Sequence, residues 1–261
     1  MHPAAWLVWA TCAGLVTFTT TDPFYLAMIV AVAWFVYAAQ RIPGPMARSF
    51  RVFAIAGLVT MAVRTALVFF GTVDASSVAF AALEGARLAT LLVVFGTFNA
   101  VTDPFGVVRL APRRFHEPAL AAALALSIAP RTIAMVGQVR EAQRMRGLRT
   151  AGWRTLPALA VPVLETGMDE AVTLAESMDA RGHGRGRRSR YRPARWSTGA
   201  VVMTVCALMA AAVFMVAAFT GRGGLHPSTF PLTWPDAEPV LIATIALLAV
   251  PGVLPRQKAD A

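Results

Sequence analysis

Long stretches without a single charged side chain decide most of what this chain can become. Residues 3–21 and 23–40 hold no Asp, Glu, Lys or Arg, and only Asp22 separates them. Residues 52–73 are apolar apart from Arg64, and residues 196–221 are charge-free. A helix needs about 20 mostly apolar residues to cross a bilayer, and these four runs meet that length. Two further runs are weaker. Residues 82–102 carry Glu84 and Arg87 near their start, and 239–255 are charge-free but short, with Pro251 near the end. Six membrane segments are therefore expected. Composition agrees, since only 15% of residues are charged against about 25% in a soluble domain. Too little polar surface is available to coat a water-soluble globule, and the fold class expected is an all-α integral membrane protein.

Net positive charge is concentrated in the middle of the chain. From Arg109 to Arg195 there are 16 arginines against seven acids (Glu117, Glu141, Glu165, Asp169, Glu170, Glu176 and Asp179), nine of the net ten positive charges. Such a middle reads as a cytoplasmic domain. The expected division is 1–110 for the N-terminal membrane segments, 111–195 for the basic domain and 196–261 for the C-terminal segments. The other loops agree with this orientation. The turn at Asp22 has no basic residue, residues 41–51 hold Arg41, Arg48 and Arg51, and residues 71–81 hold only Asp74. Residues 222–238 hold one Arg and two acids, and the tail holds Arg256 and Lys258, the one lysine of the chain. Basic and non-basic loops alternate, which places both termini and the middle domain in the cytoplasm of a multi-pass protein of the cell membrane. No basic stretch precedes the first apolar run, so a cleavable leader is not expected. Nucleic acid is not an expected partner, because no nucleic-acid motif accompanies the charge. Cys12 and Cys206 lie in separate apolar runs and offer neither a disulfide framework nor a metal site.

Residues 119–128 are apolar but bounded by Pro118 and Pro130. The interval is too short to cross and suits a buried or interfacial helix. Beyond it the sequence predicts two helices by their stop signals. The first, from Pro130 to Arg146, ends in Ala142-Gln143-Arg144-Met145-Arg146-Gly147. The second, from Pro162 to Arg181, ends in Asp179-Ala180-Arg181-Gly182. In both, arginine fills the last turn, where the negative end of the helix dipole favours it, and glycine follows for the left-handed C′ position. Either ending alone is an ordinary cap; two in one basic domain are more informative. On the second helix Gly167, Ala171 and Ala175 lie four apart, a small-residue stripe that lets another helix cross closely. The following run, His183 to Arg192, lacks the Gly-Lys-Ser/Thr of a phosphate-binding loop and reads as a contact for anionic membrane lipids. His183 has no His or Cys partner nearby, so no metal site is expected there.

The paired endings, set in a basic domain between membrane segments, resemble the transmembrane T component of energy-coupling factor (ECF) transporters, the CbiQ/EcfT family. In that family two cytoplasmic coupling helices each end in an Ala-Arg-Gly type of motif. Ala180-Arg181-Gly182 matches it, and Met145-Arg146-Gly147 departs from it by Met for Ala. Leu156-Pro157-Ala158-Leu159 and Thr21-Asp22-Pro23 are also similar to the family. The resemblance covers residues 20–195; the C-terminal segments match only as generic apolar runs. It implies a cytoplasmic coupling domain of crossed helices, with Arg144, Arg146, Gly147, Ala180, Arg181 and Gly182 engaging two ABC-type ATPase subunits. It also implies a substrate-binding S component as a further partner, and no catalytic residue, metal or cofactor in this chain. Energy coupling for the uptake of a vitamin or a transition-metal ion is the implied role. A self-contained secondary transporter is the alternative, which would need an internal repeat or broken midplane helices. An intramembrane enzyme is a weaker one, with Arg64, Glu84 and Arg87 as the ionisable residues within the apolar runs; Glu84 and Arg87, three apart on a helix, are expected to pair with each other.

Overall fold

The computed structural model describes residues 2–41, 45–70, 74–147, 156–183, 196–221, 225 and 238–254. Among these residues the regular structure is entirely helical. The helices are α1 (Pro3–Phe18), α2 (Pro23–Gln40), α3 (Pro45–Ala66), α4 (Ala75–Val101), α5 (Pro104–Val108), α6 (His116–Met145), α7 (Leu156–Ala180), α8 (Thr198–Thr220), α9 (Pro239–Leu247) and α10 (Val250–Val253). The chain is an all-α membrane protein, in which α2, α4, α6, α8 and α3 with its extension to Phe70 are long and apolar enough to cross a membrane. Residues 1–110 with 194–261 form one compact unit, and residues 111–193 form another.

The first unit has a continuous core. On α1 the buried positions are Ala5 and Trp6, Trp9 and Ala10, Cys12 and Ala13, and Val16 and Thr17; on α8 they are Ala200, Met203, Ala207, Ala210, Ala211, Phe214 and Ala217. Both sets recur at intervals of three or four residues, one face of a helix each. The alanines of α8 let α1 lie close along it. Tyr25, Ile29 and Val36 of α2 and Leu241 and Ile245 of α9 complete the cluster. Buried threonines return their hydroxyls to their own helix: Thr17 donates to the carbonyl of Ala13 at 2.8 Å and Thr90 to Ala86 at 2.8 Å. Thr97 donates both to Val93 and across to Ala33 of α2. In a bilayer, where water cannot serve these groups, such internal pairing is obligatory.

On its other side α4 carries α3. A Cβ added at Gly96 would lie 2.7 Å from that of Phe53, so only glycine lets α3 come this near. The outward face of α3, from Val52 through Leu58 to Val63, is exposed. Glu84 and Arg87 form the expected pair, Nη2 to Oε2 at 3.0 Å. Arg87 also reaches the Phe18 carbonyl at the end of α1 at 3.5 Å and lies over the Phe18 ring. Arg64, expected near the middle of its segment and facing protein or a polar cavity, occupies the last turn of α3 instead of the middle, beside a polar hollow. It is exposed on the rim of a hollow shared with Asp74, Ser76 and Ser77. Glu84 is taken by Arg87, and a guanidinium this near a helix end reaches polar surroundings on its long stem.

The run 239–255, expected as a sixth membrane segment, is not one helix. After nine residues α9 gives way to a tight turn, and α10 adds a single turn. Pro251 removes a backbone donor there. The exposed carbonyls are served from other helices. Trp9 Nε1 donates to Leu248 at 2.9 Å, and Gln40 Nε2 donates to Pro251 at 2.8 Å and Leu254 at 2.7 Å. At the opposite end of α2, the Leu225 carbonyl accepts from the Thr21 N–H and the Thr20 hydroxyl, and the Tyr25 hydroxyl accepts from the Glu238 N–H.

The second unit differs from expectation in its helix starts. Helix α6 runs unbroken from His116 through Pro130, and α7 begins at Leu156 and runs through Pro162. The apolar residues 119–128 therefore belong to the same 30-residue helix as the first arginine ending. Proline starts a helix well when a capping residue precedes it. Asp22 before Pro23 and Asp103 before Pro104 accept N–H bonds in this way. Ala129 and Val161 cannot, and the nearest hydroxyl before Pro130, that of Ser127, is bonded to Leu124.

Candidate functional site

Both arginine endings are built by the backbone, through glycine. Gly147 has φ +76° and Gly182 φ +75°, and no other described residue except Gly221 has positive φ. At the end of α7 the Gly182 N–H bonds the Asp179 carbonyl at 2.8 Å and the His183 N–H bonds the Met178 carbonyl at 2.9 Å. This pair of bonds is a complete Schellman cap. At the end of α6 the Gly147 N–H bonds the Arg144 carbonyl at 2.9 Å, and the Arg146 N–H is shared between Ala142 and Gln143. Each arginine is thus the C-cap residue, held where the chain reverses off the helix axis.

Arg144, Arg146, Ala180 and Arg181 are exposed, as is Gly147, while Gly182 is half-buried. Among the described residues neither Arg146 nor Arg181 enters an ion pair. A guanidinium keeps its charge at every accessible pH and presents a planar fork of donors, so two such tips suit carboxylate or carbonyl acceptors on other proteins. The basic run that follows, residues 184–192, lies outside the described residues, and His183 at its head is exposed.

The crossing is not where the small-residue stripe puts it. Gly167, Ala171 and Ala175 are exposed, and a Cβ at Gly167 would meet no heavy atom of the described residues within 4 Å. The buried and half-buried positions of α7 lie on another face. Leu159 is buried, and Pro162, Val163, Leu174, Ser177 and Met178 are half-buried. Beside the stripe stand Val161, Leu164, Met168 and Val172, each more than half exposed. The spacing of small residues was legible, but small residues permit close approach without naming the partner. Leu159, which the sequence reading passed over as part of a motif, could have been found as the large apolar residue at the start of α7.

No family model matches this chain. A similar protein is the energy-coupling factor transporter transmembrane protein EcfT of Bacillus selenitireducens, 28% identical over 224 residues, which are 75% of this chain and 84% of that protein. That alignment is far longer than the two triplets, and so it supports the resemblance they carry: this chain is similar to an ECF transporter T component over three quarters of its length.

Proposed function

We propose that this chain is the coupling subunit of an ECF-type ABC importer, joining two ATPase subunits to a membrane-embedded S component that binds a vitamin or a transition-metal ion. The observation that carries the reading is the pair of helix ends closed by left-handed glycine, each offering an exposed arginine from a unit whose described residues bury little apolar surface. Arg146 and Arg181 dock the two ATPases, and Arg144 adds charge beside the first. Closure of the ATPases on ATP draws the two tips together, and α6 and α7 carry the movement to the S component. The Gly167–Ala171–Ala175 stripe, with the apolar residues beside it, is available to a partner helix. Catalysis belongs to the ATPases, not to this chain.

The arginine distribution supports a cytoplasmic position for the second unit and both termini. In this orientation α6 lies at the membrane surface, because crossing would carry Arg140, Arg144 and Arg146 to the other side. The test is co-expression with the two ATPases and purification in mild detergent. Removing one partner of a buried charged contact costs roughly 2–5 kcal/mol. Arg146→Ala with Arg181→Ala is expected to release the ATPases and abolish uptake while the chain still inserts. Normal uptake by the double variant would overturn the reading.

A further inference from the structure

The corner where α2 passes into α3 carries positive charge that nothing in the described structure answers. From Pro23 to Val73 the sequence has no Asp or Glu, yet Arg41, Arg48 and Arg51 fall within 11 residues. Arg41 caps α2, its N–H bonded to the Tyr37 carbonyl at 2.9 Å and its guanidinium 5.8 Å from the Tyr37 ring. The same ring stacks on Phe50 of α3 at 4.0 Å, and Trp34 meets Phe50 edge-on at 5.6 Å. This aromatic pin fixes the two helix ends together. Arg48 and Arg51, three apart and therefore on one face, turn away from the buried Phe50 and are exposed, as is Arg41. None of the three forms an ion pair among the described residues. Directly beyond them the outer face of α3 is a run of exposed apolar side chains, Val52, Ile55, Leu58, Val59 and Val63, with Trp34 of α2 60% exposed beside the pin.

We propose that this corner is a binding site for an anionic phospholipid, its phosphate on the arginines and an acyl chain along the uncovered face of α3. The site joins the two things such a lipid presents, a negative headgroup and a hydrocarbon tail, in the order a bilayer presents them. Arginine makes forked hydrogen bonds to phosphate, and Trp34 and Tyr37 are the aromatic types that settle at the headgroup level. A soluble anion would use the charges and leave the α3 face idle. A protein carboxylate would need no tail. The site involves neither arginine-ended helix and stands whether or not the ATPase reading holds.

Lipids brominated on their acyl chains quench tryptophan fluorescence on contact, and Trp34 is positioned to report. The full chain is placed in phosphatidylcholine nanodiscs doped with brominated phosphatidylglycerol or, at the same fraction, brominated phosphatidylcholine. The Trp34 signal is taken as the difference from Trp34→Phe. Brominated phosphatidylglycerol is expected to quench that signal at several-fold lower fraction. Each arginine near an anionic headgroup is worth about fivefold in binding, so Arg41→Gln, Arg48→Gln and Arg51→Gln together should abolish the preference. The corresponding triple lysine variant, which keeps the charge, should retain most of it and shows that loss in the glutamine variant is not misfolding. Equal quenching by the two lipids in the unaltered chain would overturn the proposal. So would a preference that survives the triple glutamine change, or one that glycerol phosphate in the buffer competes away.

Discussion

Asp22 is a carboxyl wholly buried at the foot of α2, where it accepts the Phe24 N–H at 2.7 Å. Burial raises its pKa above the usual carboxylate value, and backbone N–H bonds from Phe24 and Tyr25 oppose the rise without cancelling it. The folded chain therefore holds this proton more tightly than the unfolded chain does. The resulting stability is complete below the unfolded pKa and is lost as pH rises through the folded one. Ionising this buried group therefore costs stability, which its capping role offsets. Asn caps as well as Asp and carries no charge. Asp22→Asn is thus expected to melt at or above the unaltered chain at pH 7 and to flatten the acid side of the stability profile. Asp22→Ala should lose the cap, about 0.5–2 kcal/mol. Thermal unfolding in detergent between pH 4 and 8 checks both, and a lower melting point for Asn than for Ala would contradict the argument.

Among helices, α3 lies close against α4 at Gly96. Gly96→Ala puts a methyl 2.7 Å from the Phe53 Cβ, and overpacking of this kind typically costs about 1–3 kcal/mol. The expected result is a lower melting temperature with the membrane topology unchanged, measured in detergent beside Gly137→Ala, where a Cβ meets nothing among the described residues within 4 Å. How far each element was legible depended on the chemistry at its ends. The start of α2 was legible because Asp22 interrupts two charge-free runs, and the structure shows its carboxylate capping the helix that Pro23 begins. The two Arg-Gly endings marked the ends of α6 and α7 because left-handed glycine has few other uses. Pro130 and Pro162 misled because proline alone was taken as a start. With Ala129 and Val161 before them they are tolerated inside long helices instead. The broken course of α9 and α10 was hidden as well, since its stability comes from Trp9 and Gln40, more than 200 residues away. For the site, the tips were readable and the face of the crossing was not. Small and apolar residues recur along α7, and it is the burial of Leu159 that distinguishes one side.

The two units of the molecule are supported differently. The first holds nearly all the buried apolar side chains, whereas Leu159 is the buried apolar residue found among the described positions of the second. Helices in water draw most of their stability from tertiary packing of one face, so α6 and α7 must find that packing on a partner or a membrane surface. Hydrogen exchange of the isolated chain in detergent is expected to run much faster over 131–147 and 160–182 than over α1, α2 and α8, and to slow on addition of the two ATPases. Equal protection of both units in the isolated chain would show that the second is self-sufficient. The hydrogen bonds from Trp9 and Gln40 to the turn after α9 bear on a different question, the order of assembly during synthesis. A final segment of nine helical residues and one detached turn is a poor candidate to enter lipid by its own hydrophobicity. Its carbonyls become affordable in hydrocarbon only once α1 and α2 stand ready to receive them. Residues 239–254 are therefore expected to enter the membrane as guests of α1 and α2, and a protein synthesised without α1 should leave them stranded at the membrane surface, open to protease.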